Sequence, residues 1–298
     1  MYLFIVNTMS GNGKGMKVWK RIESMLQKRQ VHYLVEFSAS PTHTAELVRQ
    51  TAKKHKIKVL AVVGGDGTVQ SMIHSVIGRN IPLGIIPAGS GNDLARGLKI
   101  PLNPKEALHY LLTGGTGKID IIQIGNQYCM TVVGIGIDAK VAQTVNRSRY
   151  KKWFNRLKLG HLAYVLSFIQ VLTHYRPVKA TIKVDGKEWT FPKTWLIAVA
   201  NFPNYGGGMI ICPGACYFDG EFHICIVDGL SRWELLRIFP AVYRGKHIYR
   251  SGVTLLKGKT IEVISDSPMP AHGDGEIMGE TPMKIDILEK GLSVICHD

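Results

Sequence analysis

In Val59-Leu60-Ala61-Val62-Val63-Gly64-Gly65-Asp66-Gly67-Thr68-Val69-Gln70 an unbroken apolar run, Val59–Val63, stops on paired glycines. A strand with one wet face would alternate. A run with no polar position reads instead as a strand covered on both faces, as in a parallel sheet. A helical segment follows the glycines, and the same pattern extends outward on both sides. Tyr2–Val6 is apolar, then come glycines, then helical spacing in Val18, Ile22, Met25 and Leu26. His32–Phe37 reads as a second strand, followed by a helix carrying Ala45, Leu47, Val48 and Ala52. Pro82–Ile86 reads as a fourth strand and leads into another glycine-bearing turn and helix. This βαβα alternation predicts a doubly wound α/β domain, with ligands bound outside the carboxyl ends of its strands.

The pattern changes after Asp120. Strand-like runs follow one another at Tyr128–Val133, Ala180–Asp185, Trp195–Ala200, Phe222–Val227 and Thr260–Ile264, punctuated by turn signals at Asp185-Gly186 and Asp219-Gly220. Helical stretches near Leu159–Leu172 and Arg232–Tyr243 interrupt them. The expectation is a first domain over residues 1–120 and a mostly antiparallel, β-rich domain over 121–298. Gly114-Gly115-Thr116-Gly117 reads as the linker, and the last residues are free to pack back on the first domain.

Composition bounds the function. The chain has 298 residues, 45% hydrophobic and 20% charged, which suits ordinary globular domains and not disorder. Its 37 Lys+Arg against 22 Asp+Glu give +15, a surplus that suits a polyanionic partner. No recognised nucleic-acid motif accompanies that charge, so nucleic acid is not expected as the partner. Met1–Asn7 lacks a charged leader and a cleavage site and reads as a strand, not a secretory signal. No apolar run reaches the ~18 residues needed to span a bilayer. The five cysteines include no Cys-x-x-Cys pair, which argues against a zinc site and suits free thiols in a reducing cytoplasm.

Three glycine-rich turns sit where α/β strands end. The first is Asn7-Thr8-Met9-Ser10-Gly11-Asn12-Gly13-Lys14-Gly15, where glycines let amides approach a phosphate and Lys14 adds a cation. It has neither the Walker A nor the G-x-G-x-x-G spacing. The second, Gly64 to Thr68, holds Asp66 at a strand end, suited to Mg²⁺ or to capping the next helix. The third, Pro87-Ala88-Gly89-Ser90-Gly91-Asn92-Asp93-Leu94-Ala95-Arg96, offers a hydroxyl, two oxygen-bearing side chains and an arginine one turn along.

The order N-x-x-S-G, G-G-D-G-T, P-x-G-[ST]-x-N-D-x-A-R resembles the bacterial diacylglycerol kinase family of lipid kinases, related to sphingosine kinases and NAD kinases. The resemblance continues in Val133-Gly134-Ile135-Gly136-Ile137-Asp138-Ala139, in Pro213-Gly214-Ala215 through Asp219-Gly220-Glu221, and in Asp274-Gly275-Glu276. It implies ATP contacts at Asn7, Thr8, Met9, Ser10 and Gly11, at Gly64, Gly65, Asp66, Gly67, Thr68, Val69 and Gln70, and at Ser90, Asn92 and Ser38. It implies that Asp66, Asp93 and Asp120 organise a catalytic Mg²⁺, some through water, and that Glu276 accepts the proton of the attacking hydroxyl. A structural Mg²⁺ would use the Asp219 carboxylate and the main-chain carbonyls of Cys216 and Glu221.

Together these imply a cytoplasmic enzyme, peripheral on the inner membrane face, that moves the γ-phosphoryl group of ATP to a hydroxyl of a lipid such as diacylglycerol. A soluble-substrate kinase of the NAD kinase kind and a non-catalytic nucleotide- or lipid-binding protein are the alternatives. The oligomeric state is left open between monomer and homodimer. Arg147 to Lys158 interleaves basic residues with Tyr150, Trp153 and Phe154, which suits either docking on anionic membrane or a solvated helix packed on the core.

Overall fold

The computed structural model describes residues 1–148 and 160–297. Two units emerge: Met1–Ile119 with Lys290–Asp298, and Asp120–Glu289.

In the first unit β1 (Tyr2–Asn7), β2 (Tyr33–Ser38), β3 (Val59–Gly64) and β4 (Leu83–Pro87) form a parallel sheet in the order 2-1-3-4. The helices are α1 (Ser10–Lys28), α2 (Pro41–Lys54), α3 (Asp66–Gln70), α4 (Ile73–Val76), α5 (Asp93–Gly97) and α6 (Pro104–Thr113). Every residue of β3 and β4 is buried, which accounts for their apolar runs. Phe4 and Trp19 are fully buried with ring centroids 5.3 Å apart, packing α1 onto β1. The sheet reverses winding direction between β1 and β3, so a ligand crevice is expected at their carboxyl ends.

Gly114–Gly117 is not a linker. The stretch ends α6 and begins strand β5 (Gly115–Ile124). A Cβ on Gly114 would lie 2.8 Å from Ile295 Cγ2, and one on Gly117 would lie 2.5 Å from Cys296 Sγ. These glycines admit the C-terminal strand at close range. That strand also runs parallel to β4, with Val294 opposite Leu83.

The second unit holds β6 (Gln127–Cys129), β7 (Val132–Gly136), α7 (Ile137–Arg147), α8 (Gly160–His174), β8 (Val178–Val184) and β9 (Lys187–Ala200). A small hairpin, β10 (Asn204–Tyr205) and β11 (Met209–Ile210), precedes β12 (Phe222–Asp228) and α9 (Arg232–Val242). Then come β13 (Val253–Gly258), β14 (Thr260–Ser265), β15 (Pro270–Gly273), β16 (Glu276–Glu280) and β17 (Met283–Cys296). The long β9 pairs β8 with its first half, and with its second half lies between β7 and β12, antiparallel throughout. Its side chains alternate: Ile197 and Val199 enter a core with Ile182, Ile224 and Ile261, while Ala198 and Ala200 face the core under α7, α8 and α9.

The expected strand Tyr128–Val133 is two strands, broken at Met130-Thr131. There both amides donate to the Asp274 carboxylate, at 2.7 and 3.2 Å, instead of to a neighbouring strand. The basic stretch Arg147–Lys158 lies, from residue 149 on, outside the described residues.

Candidate active site

The three glycine turns of the first unit meet at the carboxyl ends of β1, β3 and β4. Asn7 closes β1 and its side-chain amide donates to Thr68 Oγ1 at 2.9 Å, while its Oδ1 accepts the Met9 amide at 3.0 Å. Gly11, Asn12 and Gly13 take left-handed φ values of 56°, 58° and 83°, so the chain turns tightly before regular α1 begins at Lys14. A Cβ on Gly11 would lie 2.4 Å from the Ala88 carbonyl, which brings the first turn against the third. Gly65 and Gly89 are pressed backbone to backbone: a Cβ on either would come within 2.7 Å of the other's Cα. Only glycine allows that approach, and the result is a surface of main-chain groups with few side chains, suited to phosphate.

Asp66 begins α3, and its Oδ1 accepts the Leu94 amide at 3.1 Å, which ties the second turn to α5. A Cβ on Gly91 would lie 3.0 Å from Asp66 Oδ2 and 3.6 Å from Asp93 Oδ2, so the two carboxylates face the same small space. Asn92, left-handed at φ 58°, uses its side chain within the loop: its Oδ1 accepts the Gly89 amide at 2.9 Å and its Nδ2 donates to the Gly89 carbonyl at 3.1 Å. It shapes the turn that carries Asp93. Arg96 donates to the Gly91 carbonyl and lies 3.5 Å from Asp93 Oδ1. Ser90 and Lys14 are exposed beside these turns in the chain. Ser38, at the end of β2, is 1% exposed. Its hydroxyl donates to the Ser40 carbonyl at 2.8 Å and also meets the Thr44 hydroxyl, a local structural use.

The remaining predicted residues belong to the second unit. Asp120 is buried; its carboxylate accepts the Gly220 amide at 2.9 Å, and its own amide donates to the Tyr217 carbonyl at 2.7 Å. It is thus bonded to the turn that carries Asp219. Asp219 Oδ1 accepts the Glu221 amide at 3.2 Å, and its Oδ2 lies 3.8 Å from His223 Nε2. Burial, and after it Lys257, hold His223 below the ordinary imidazole range, so a neutral ring stands beside Asp219 at neutral pH.

Asp274-Gly275 forms a two-residue hairpin turn with φ values of 51° and 87°, the double-positive geometry that Asp-Gly favours. The turn places Glu276 exposed at the start of β16. Asp274 is spent on the Met130 and Thr131 amides and on the Thr131 hydroxyl.

The donor sets fit magnesium in kind. Asp66 and Asp93 present carboxylate oxygens beside a phosphate-suited surface, and Mg²⁺ is commonly held by one or two carboxylates with phosphates and waters. The Asp219 turn likewise offers one carboxylate and main-chain oxygens. Among the described residues no cluster of three or more His, Cys, Asp or Glu is placed to hold a metal by side chains alone.

Sequence reasoning quoted Asp138 in a motif but missed its setting. Asp138 lies in the first turn of α7 with 6% exposure and collects three donors. Tyr164 donates to Oδ1 at 2.7 Å, Tyr205 to Oδ2 at 2.7 Å, and His272 Nε2 to Oδ2 at 2.8 Å. Burial alone would raise its pKa; the His272 charge and these hydrogen bonds outweigh that and hold it below the usual carboxylate range. A Cβ on Gly134 would sit 2.2 Å from Asp138 Oδ2, so that glycine makes room for the carboxylate.

Comparison with known proteins gives the family and the fold. A family model described as the diacylglycerol kinase catalytic domain matches residues 1–124. One described as the YegS C-terminal NAD kinase beta sandwich-like domain matches 131–296. YtlR of Bacillus subtilis (strain 168), named provisionally as a lipid kinase, is 34% identical, across 95% of this chain and 96% of its own length. A Mycobacterium tuberculosis (strain ATCC 25618 / H37Rv) protein named diacylglycerol kinase is 32% identical, across 98% of this chain and 93% of its own. A crystal structure of a provisionally assigned diacylglycerol kinase from Bacillus anthracis str. Sterne superposes with a TM-score of 0.82 at 24% identity, covering 99% of this chain and 95% of that one. At that identity the superposition speaks for the fold.

Proposed function

Because the chain belongs to the diacylglycerol kinase catalytic-domain family, we propose that it is a Mg²⁺-dependent lipid kinase transferring the γ-phosphoryl group of ATP to a hydroxyl of a lipid such as diacylglycerol. The observation that carries the reading is the convergence of three glycine turns on Asp66 and Asp93 at the sheet's switch point. Phosphoryl transfer asks mainly for positioning and charge neutralisation, and this site supplies both. Asn7–Gly11, Gly64–Gln70 and Ser90 would cradle the triphosphate through main-chain amides and hydroxyls, with Lys14 adding positive charge. Asn92 holds its loop in shape. Asp66 and Asp93 would hold Mg²⁺, which neutralises phosphate charge when bound. Glu276 would accept the proton of the attacking hydroxyl. No helix among the described residues is long and apolar enough to cross a membrane, and we read the protein as a peripheral one.

The test offers radiolabelled ATP with diacylglycerol in phospholipid vesicles, and separately with NAD. Label in the organic-extractable product is expected. Label entering NAD alone would replace this reading with the soluble-substrate one, and no transfer to either would leave a binding protein.

The Asp219 turn, with the main-chain carbonyls of Cys216 and Glu221, is proposed as a second, structural Mg²⁺ site. An ion that binds only the folded state at ~100 times its Kd adds about 2.7 kcal/mol, a rise of several degrees in Tm. Millimolar Mg²⁺ is expected to raise the Tm of the native protein more than that of Asp219→Ala. Equal increments in the two proteins would remove the site.

A further inference from the structure

Among the described residues the two most exposed large apolar or aromatic side chains are Tyr249, at 83%, and Trp233, at 73%. They bracket one short segment of the second unit: α9 and the 3-10 turn Lys246–Tyr249. A capping box between Ser231 and Glu234 fixes where α9 starts. From there Leu235, Leu236, Phe239 and Val242 face the core. Trp233, Arg237 and Pro240 are exposed at i, i+4 and i+7, a single stripe along the opposite side of α9, and Arg244 is exposed just past the helix end. Lys246 and Arg250 extend the exposed, basic surface beyond the helix.

This face carries an excess of positive charge, relieved only by Glu234, which attracts Arg237 one turn along. Glu234 is the one acid between residues 231 and 252, and it is engaged in the cap. Among the described residues Arg237, Arg244, Lys246 and Arg250 take part in no ion pair. Arg232 is different: it donates to the Leu172 and Tyr175 carbonyls at 3.0 and 3.1 Å and so ties α9 to α8. Phe168 stacks on Phe239 at 4.3 Å, and α8 in turn exposes Leu166 and Ile169.

We propose that this Trp233–Arg237–Arg244–Tyr249 face docks on an anionic lipid bilayer. Amphipathic aromatic rings settle at the headgroup level, and unpaired arginines and lysine meet lipid phosphates there. Trp, Tyr and Arg are also common at protein interfaces, but a protein partner would have to supply a matching acid for each cation, which an anionic bilayer presents across its whole surface. A second copy of the same face would bring four unpaired cations against four others. The inference rests on the lipid-kinase reading for its purpose: the second unit is held on the bilayer that carries the acceptor lipid.

The test uses the full chain with phosphatidylcholine vesicles that contain or lack phosphatidylglycerol. Sedimentation with the anionic vesicles is expected, and should weaken as salt is raised. The triple variant Arg237→Glu, Arg244→Glu, Lys246→Glu should lose at least ~100-fold in partitioning. Trp233→Ala with Tyr249→Ala should weaken binding while keeping its salt dependence. Both variants should keep native circular dichroism and wild-type turnover of a short-chain, water-soluble diacylglycerol, since every changed residue is exposed and none lies in the phosphate-suited turns. Undiminished sedimentation of the folded triple variant overturns the proposal. So does a face that binds oligonucleotide but no vesicle. Absence of kinase activity in all proteins, with vesicle binding lost only in the variants, would overturn the lipid-kinase reading and leave the docking face standing.

Discussion

Asp66→Ala is expected to lower phosphoryl transfer by at least about 10²–10³-fold, the scale on which a single preorganised electrostatic group acts in catalysis. Asp66 does two things, and the variant removes both. Its Oδ1 accepts the Leu94 amide and its Oδ2 faces the space shared with Asp93. Loss of the first is a structural cost of about 1 kcal/mol at a half-buried position. Loss of the second removes a negative charge from the place proposed for the metal. Asp66→Asn separates them, because its carbonyl oxygen can still accept from Leu94 while the charge is gone. Circular dichroism and Tm of the Asn variant should match wild type, and kcat should fall nearly as far as in the Ala variant. Near-normal turnover by Asp66→Asn would show that the carboxylate acts only as a clamp on α5.

What the sequence revealed and what it hid divide along the range of the interactions. The first unit was legible because its rules are local. A strand covered on both faces must be apolar throughout, as Val59–Val63 is, and a turn pressed against another backbone must be glycine, as Gly65 and Gly89 are. Gly114–Gly117 misled for the converse reason. Glycine there marks close approach by Ile295 and Cys296, strand residues far away in the chain, and nothing nearby distinguishes that use from a flexible linker. Tyr128–Val133 looked like one strand because the groups that break it, Asp274 on the Met130 and Thr131 amides and Asn201 on their carbonyls, lie about seventy to a hundred and forty residues on. Asp120 shows the same limit. A carboxylate in the middle of a strand carries no local sign that its partner is the Gly220 amide.

The Asp138 cluster is the extreme of this kind, since its donors come from 26, 67 and 134 residues away. It also carries the largest expected stability effect. Asp138→Ala would leave Tyr164, Tyr205 and His272 without their shared acceptor. His272 is 3% exposed and its Nδ1 already makes no hydrogen bond, so the ring has no second anchor. Leaving a buried donor without its acceptor typically costs about 1–3 kcal/mol, and three donors lose theirs here. In a protein of this size that lowers Tm by on the order of 10 °C. The acid limb of the stability profile should change as well. A carboxylate held below its usual range contributes stability above the unfolded pKa of about 4, and loses it as pH falls through the lower folded value. Wild type should therefore lose Tm steeply below about pH 4, and Asp138→Asn less steeply, because it has no charge to lose. Asn keeps one acceptor for the tyrosines, so at neutral pH it should fall between wild type and Ala. Parallel acid limbs for wild type and Asp138→Asn would mean that other carboxylates set the acid stability and that this cluster is held by packing alone.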